Sequence, residues 1–459
     1  MQNSKAPPSF SQVNEKFMRT IRVRNEQHPG TLGRLLLAIG NAGGDIGEVR
    51  LILESHSSTI RDLTVYTDDE AQMEKVLQAI DDFPETHIMA VRDEVLELHQ
   101  KGKIAIRSRI KIDSLYTMRL VYTPGVAEVC LKIAKDPSLA RQYTAISHLV
   151  AIVTDGTAVL GLGDIGPVAG MPVMEGKAML METLVGLSGI PILLDTKDPQ
   201  RIIDTVAAIA PTFSAIQLED ISAPRCFEIE ETLQRRLDIP VMHDDQHGTA
   251  VVTTAALTNA CRITGLGLEK AVIGQVGLGA AGNAIGRMLM KLTGNPVLGA
   301  DLSEEALSRF ELAGGRRATL REIMSEADVV IATTGASGLI RPEWVRKGQI
   351  ILALSNPNAE IDPETAINAG AAFAADGKSV NNVLGFPGIL RGAVDAYATR
   401  ISHEMYLAAA QTIADMTPAD ELVPNPLDIK VHQAVARAVA KQAFEQGLAR
   451  AEFVPYIED

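Results

Sequence analysis

Two acidic pairs stand where apolar runs end. The stretch FSAIQLED carries Glu219 and Asp220 after Ile216 and Leu218. The stretch IPVMHDDQHGTA, residues 239–250, passes from Val241 and Met242 to Asp244 and Asp245. Asp155 and Asp195 close similar runs. A single acid in such a place is commonly the N-cap of the next helix; two adjacent pairs are harder to explain that way. Neighbouring strand residues point to opposite faces, so where the chain leaves a sheet each pair can aim one carboxylate at a shared point. Three converging carboxylates repel one another unless a divalent cation neutralises them, and hard oxygen ligands select Mg²⁺ or Mn²⁺ over zinc. From spacing alone a solvated turn is an equal alternative to a metal site.

A second chemistry-bearing stretch is KAVIGQVGLGAAGNAIGRMLMKL, in which Gly277, Gly279 and Gly282 form G-x-G-x-x-G around Ala280 and Ala281. It follows an apolar strand and opens an amphipathic helix. It also precedes a strand ending at Asp301, 19 residues after Gly282. That context is what a dinucleotide needs: a tight turn, close backbone approach to pyrophosphate, and an acid for the ribose hydroxyls. Asp301, Glu304 and Glu305 would repel a 2′-phosphate, and no Arg or Lys immediately follows the strand. NAD is therefore expected rather than NADP. Thr334, which ends the run DVVIATT, is assigned to the same cofactor side.

These residues must be held by an α/β framework. The first hundred residues read βαββαβ, a ferredoxin-like arrangement. TIRVRNEQ alternates, Leu32, Leu35, Leu36 and Ile39 form one helical stripe, and EVRLILESHSSTIRDLTVYT reads as a hairpin. Met73, Val76, Leu77 and Ile80 form a second stripe, and HIMAVRDEVLEL supplies a last strand. After Glu97 the charge-rich LHQKGKIAIRSRIKID reads as a linker. Eight apolar runs then alternate with helices, from HLVAIVTDG to QIILALSN, which implies largely parallel sheets covered on both faces.

Composition narrows the class. At 459 residues two or three domains are expected. A formal charge of −14 argues against a nucleic-acid surface. Three scattered cysteines form neither a disulfide framework nor a metal pair, and no apolar leader or membrane span is visible, so a soluble cytoplasmic protein is expected.

The N-terminal part resembles ACT domains, whose first helix follows a Pro-Gly-x-Leu segment, here Pro29 to Leu32. The resemblance implies a small regulatory module with a metabolite effector at a paired interface; a plain oligomerisation domain is the equal alternative. Most of residues 113 to 395 resembles malic enzymes of the shorter bacterial type. The ordered motifs are VYTPGVAEVC, VTDGTAVLGLGDIGPVAGMPVMEGKAML, QLED, IPVMHDDQHGTA, the Gly-rich turn, LSNPN and NNVLGFPGILRGA. The family oxidatively decarboxylates malate to pyruvate and CO₂ with a nicotinamide cofactor and Mg²⁺ or Mn²⁺.

Carried over by position, the resemblance implies Glu219, Asp220 and Asp245 as metal ligands, with Asp244 supporting the catalytic groups. It makes Lys177 the base and Tyr122 the general acid, with Thr123–Pro124 read as N-cap and N1 of the next helix. Asn356 and Asn382, and less firmly Asn381, fall near substrate and cofactor. One departure stands out: longer malic enzymes have a substrate-holding arginine where this chain has Ala158, and Arg391 is the candidate replacement. The expected domains are 1–97, ACT-like; 98–246, substrate and metal; and 247–459, a Rossmann-type NAD domain with C-terminal helices. A homo-oligomer, at least a dimer, is expected, and no additional acyltransferase-like domain. A related 2-hydroxy acid as substrate, a malolactic-type conversion, or a metabolite sensor with an inactive enzyme-like half are the rival readings.

Overall fold

The computed structural model describes residues 17–159 and 161–450. It divides into two units after Lys103. The first has strands β1 (Phe17–Glu26), β2 (Asp45–Glu54), β3 (Ser58–Thr67) and β4 (Thr86–Arg92), with helices Thr31–Asn41 and Glu70–Asp81 between them. This is the βαββαβ order expected. The sheet is antiparallel, in the order β2–β3–β1–β4. Ile21 and Val23 of β1 and Leu63 and Val65 of β3 meet Leu35, Ile39, Met73, Val76 and Ile80 in its core. Alternation in the strands and the 3.6-residue period in the helices thus converge on one face. The last strand is shorter than the run HIMAVRDEVLEL: it stops at Arg92, and the residues that follow are helical. Asp93 accepts a hydrogen bond from the Leu96 amide at 2.9 Å and caps a short helix, Glu94–His99.

The second unit holds two parallel sheets. One comprises β5 (Leu149–Thr154), β6 (Ser188–Leu193), β7 (Ala215–Leu218) and β8 (Val241–His243), in the order β6–β5–β7–β8. The other comprises β9 (Ile273–Val276), β10 (Leu298–Ala300), β11 (Arg316–Arg317), β12 (Val329–Ala332), β13 (Ile350–Ala353) and β14 (Phe373–Asp376). Its order, β11–β10–β9–β12–β13–β14, reverses direction between β9 and β12, the place where a doubly wound sheet binds a dinucleotide. The two strands not expected from sequence, β11 and β14, are its edges. The charged pair Arg316–Arg317 and the short run FAAD carry little of the apolar signal by which strands are read.

One helix joins the sheets. Asp244–Thr264 runs unbroken from the end of β8, and Ala250, Val251, Val252, Ala255, Ala256, Leu257 and Ala260 bury it on most sides. A division at 246/247 falls inside it. Small residues let neighbouring helices, Ala280–Thr293 and His403–Asp415, pack closely against it. Among the described residues no helix is long and apolar enough to cross a membrane.

Candidate active site

Both acidic pairs lie at the carboxyl edge of the first sheet. Glu219 and Asp220 directly follow β7, and Asp244 and Asp245 open the helix after β8. One carboxylate oxygen from each of Glu219, Asp220 and Asp245 lies within 4.8 Å of the others. Asp220 sits at φ 54°, a left-handed backbone that few non-glycine residues adopt. It is held there because its carbonyl accepts from the amides of Thr157 and Ala158 at 3.1 and 2.9 Å. Its own amide donates to Asp245 Oδ2 at 3.0 Å. Ala158 therefore fixes the backbone of a carboxylate-bearing residue through its own amide.

Lys177 comes from the helix Pro167–Val185 and is almost entirely enclosed. Its Nζ is 2.9 Å from Glu219 Oε1, donates to Asp244 Oδ2, and lies 4.5 Å above the centre of the Phe386 ring. Burial alone would depress its pKa. The charges of Asp244 and Glu219 overcome that and hold the ammonium well above its ordinary range. The carboxyls pay the opposite way. Burial and mutual repulsion raise Glu219 well above the usual range, raise Asp244, and push Asp220 to about 7. Asp220 Oδ2 and Asp244 Oδ1 are buried without a hydrogen-bond partner. A compact, oxygen-only donor set with surplus negative charge and an orphaned oxygen fits a hard divalent cation.

Surrounding groups fix the cluster. Gln217 donates to Glu219 Oε2 at 2.5 Å, and His243 Nε2 is 3.3 Å from Asp245. Arg225 reaches buried Asp155 at 3.2 Å and donates to Thr157 and Ser222, bracing the loop that carries Asp220. Asn382 Oδ1 accepts from Thr249 on the Asp244 helix at 3.1 Å, which brings that amide to the same helix. Asn381 instead caps its own short turn, accepting from the Val383 amide at 3.0 Å.

At the second sheet Gly277 has φ 85°, and a Cβ there would lie 2.7 Å from the Thr333 carbonyl. A Cβ on Gly282 would meet the Gly277 carbonyl at 1.8 Å, whereas one on Gly279 would meet nothing within 4 Å. The first and third glycines thus serve packing, and the second leaves open space above the turn. Asp301 Oδ2 accepts from the Leu278 amide at 2.6 Å, tying this acid to the Gly-rich turn. Thr334 donates through its amide and hydroxyl to Glu360 at 2.7 and 2.8 Å, and Ser355 donates to the same oxygen. Fully buried Glu360 thus binds the loop after β12 to the loop after β13, where Asn356 lies. Its place in the turn NPNAEID gave no periodic signal by which to find it. Phe386, Gln217 and Arg225 were likewise missed, because only the folded chain sets them beside Lys177, Glu219 and Asp155.

Two expectations need correction. Tyr122 does not precede an N-cap–N1 pair: it is the C-cap of the helix Leu115–Val121, and Pro124 is the N-cap of Gly125–Lys135. A proline disfavours helical backbone in the residue before it, so the first helix stops ahead of Thr123. The Tyr122 side chain is 67% exposed, outside the buried cluster. Arg391 is engaged with Asp395 through a fork at 3.1 and 2.5 Å, which argues against it as the substitute for the missing arginine.

The profile of the malic enzyme N-terminal domain matches residues 99–234, and that of the malic enzyme NAD binding domain matches residues 303–446. NAD-dependent malic enzyme 1 of Bacillus subtilis is 55% identical over 94% of this chain and 99% of its own. A bifunctional malic/malolactic enzyme of the same organism is 42% identical over 79% of this chain and 95% of its own. The crystal structure of a malic enzyme from Pyrococcus horikoshii superposes with a TM-score of 0.74 at 40% identity, covering 78% of this chain and 92% of that one. That of an NAD-dependent malic enzyme from Thermotoga maritima gives 0.72 at 38% identity, covering 76% and 99%. The lysine, the acidic pairs and the Gly-rich turn occupy one fold shared along most of its length with these relatives, and the chain belongs to the malic enzyme family.

Proposed function

We propose that this chain oxidises malate at C2 with NAD and releases CO₂ to give pyruvate, in a reaction that requires Mg²⁺ or Mn²⁺. The observation that carries the reading is the buried Lys177 amine lodged between Glu219 and Asp244 beside three converging carboxylates. Glu219, Asp220 and Asp245 would hold the cation, which supplies Lewis acidity to the substrate oxygens and lessens the negative charge around the lysine. Bound NAD would supply the hydride acceptor for C2, and Lys177 Nζ would take the proton of the C2 hydroxyl. Asp244 orients that amine and receives its hydrogen bond. Phe386 shields it from water. Asn356 and Asn382 donate to substrate and cofactor without adding charge, and Asp301 takes the ribose hydroxyls.

Tyr122 is assigned the proton returned to carbon after CO₂ departs. It sits in a stretch with Ile106, Leu115, Tyr116 and Leu131, all more than half exposed. So much uncovered apolar surface supports a homo-oligomer in which this stretch is covered. The N-terminal unit is read as an ACT-like ferredoxin fold that takes a small metabolite. The free cysteines support a cytoplasmic setting.

The test is nicotinamide reduction with L-malate and Mn²⁺, comparing NAD with NADP, in the wild type and in Lys177→Ala. Pyruvate and NADH should appear together, with a loss on the order of 10²–10⁴ in the variant, the usual worth of a positioned acid or base. Lactate without net NADH would favour the malolactic reading, which the bifunctional relative supports. No turnover with either cofactor would reject both.

A further inference from the structure

The second unit has a cavity of about 330 Å³ lined by none of Lys177, Glu219, Asp220, Asp244 and Asp245. It lies beyond Gln246 and His247, the two residues after Asp245, and is closed by the start of the helix His403–Asp415. Arg287 and Arg400 line it, and both are exposed. Among the described residues neither guanidinium has an ion pair or hydrogen bond. His247 and His403 add two ring nitrogen pairs, and burial with neighbouring Arg287 and His247 holds the His403 imidazole below its usual range. Two guanidiniums without partners thus line one cavity in a chain whose formal net charge is −14.

The acids that also line the cavity are mostly committed elsewhere. Glu230 is buried and accepts from the His243 amide at 2.8 Å, from Gln246 at 2.9 Å and from His247 at 3.1 Å. Glu404 pairs with Lys291 at 3.2 Å and accepts from Gln446 at 3.0 Å. Glu231 faces Arg235 at the rim, 3.9 Å away. A separate observation points to an occupant. Tyr406, only 3% exposed, lines the cavity with its ring stacked on His247 at 4.5 Å, and its buried hydroxyl has no hydrogen-bond partner. A buried hydroxyl left unpaired is costly.

We propose that this cavity is a second ligand site, separate from the carboxylate cluster, for a small doubly charged anion bearing phosphate or carboxylate groups. Arg287 and Arg400 clamp the anion, and Tyr406 donates to it. The test is calorimetric titration of the full chain with inorganic phosphate and, separately, with succinate, at matched ionic strength. Wild type is compared with Arg287→Gln, Arg400→Gln and the double variant. Both arginines are exposed and unpaired, so the variants should fold; thermal melts check this, and the single variants suffice if the double one fails.

Any anion held at the carboxylate cluster would persist in all variants, so only the difference between proteins counts. Binding that weakens at least tenfold in the double variant, or severalfold in each single one, supports the proposal. Phosphate alone would identify a phosphorylated ligand, succinate alone a dicarboxylate, and both a general dianion site. Absence of binding by either probe, or binding unchanged in the variants, overturns it.

Discussion

Asp244 illustrates how one residue depends on another that does no chemistry. It opens its helix, and four residues on, one helical turn later, stands Gly248. A Cβ at Gly248 would lie 1.9 Å from Asp244 Oδ1, so the carboxylate has room to fold against its own helix and hold Lys177 only because that side chain is missing. Glycine in a helix interior costs about 1 kcal/mol relative to alanine. Propensity alone would therefore expect Gly248→Ala to stabilise the protein. The geometry predicts an enzyme that still folds but loses about 10–100-fold in kcat, the scale of a misplaced catalytic group. Malate kinetics beside a thermal melt would show it; an unchanged kcat would mean that Asp244 does not orient the lysine. The acid pairs and Gly248 are plain in the stretch DDQHGTA, but not which of the two aspartates meets the lysine. That choice depends on where the Lys177 helix lies.

The Gly-rich element works by contact of helix on turn. Gly282 packs on the Gly277 carbonyl, leaving no space for a methyl group. Gly282→Ala should push the helix Ala280–Thr293 off the turn and raise the KM for NAD about tenfold, equal to ~1.4 kcal/mol. The KM for malate should change much less. Equal changes in both would point to general unfolding of the second sheet rather than to the cofactor cradle. The motif was readable because it demands glycines at fixed offsets. Its support was not: Glu360 reaches Thr334 and Ser355 from a turn with no periodicity, and β11 and β14 complete the sheet from its edges.

Across the whole molecule, surplus acid governs two responses. Bringing a cation to Glu219, Asp220 and Asp245 should relieve their repulsion and stabilise the native state. At about a hundred times its dissociation constant, Mn²⁺ should add ~2.7 kcal/mol. Melting temperatures with Mn²⁺ and with chelator would measure this, and Asp245→Asn should abolish most of the difference. A second response lies in acid. Glu404 is held at about 2 by hydrogen bonds from Gln446 and from its own backbone amide, and by Lys291. A folded pKa below the unfolded one gives stability that is present above about 4.3, the free glutamate value. It is lost as pH falls toward 2. Glu404→Gln should therefore lower stability at pH 6 by about 0.5–1 kcal/mol, the scale of partly exposed pairs, and by less at pH 3. Denaturant midpoints at the two pH values check the sign.

Local chemistry determined much from the sequence alone. Turn glycines, acid pairs at strand ends, and the periods 2 and 3.6 are short-range features that few alternatives satisfy. They were enough for the βαββαβ order, the parallel sheets and the Gly-rich turn, whereas the choice of Glu219, Asp220 and Asp245 among the strand-end acids came from the resemblance to malic enzymes. Tertiary structure decided what depends on distant segments meeting. It placed Phe386 under Lys177 and Arg225 against Asp155 across long stretches of chain. It tied Arg391 to Asp395 and left Tyr122 on the surface. Whether a polar side chain is buried, paired or exposed is set by what packs over it, and no local spacing encodes that.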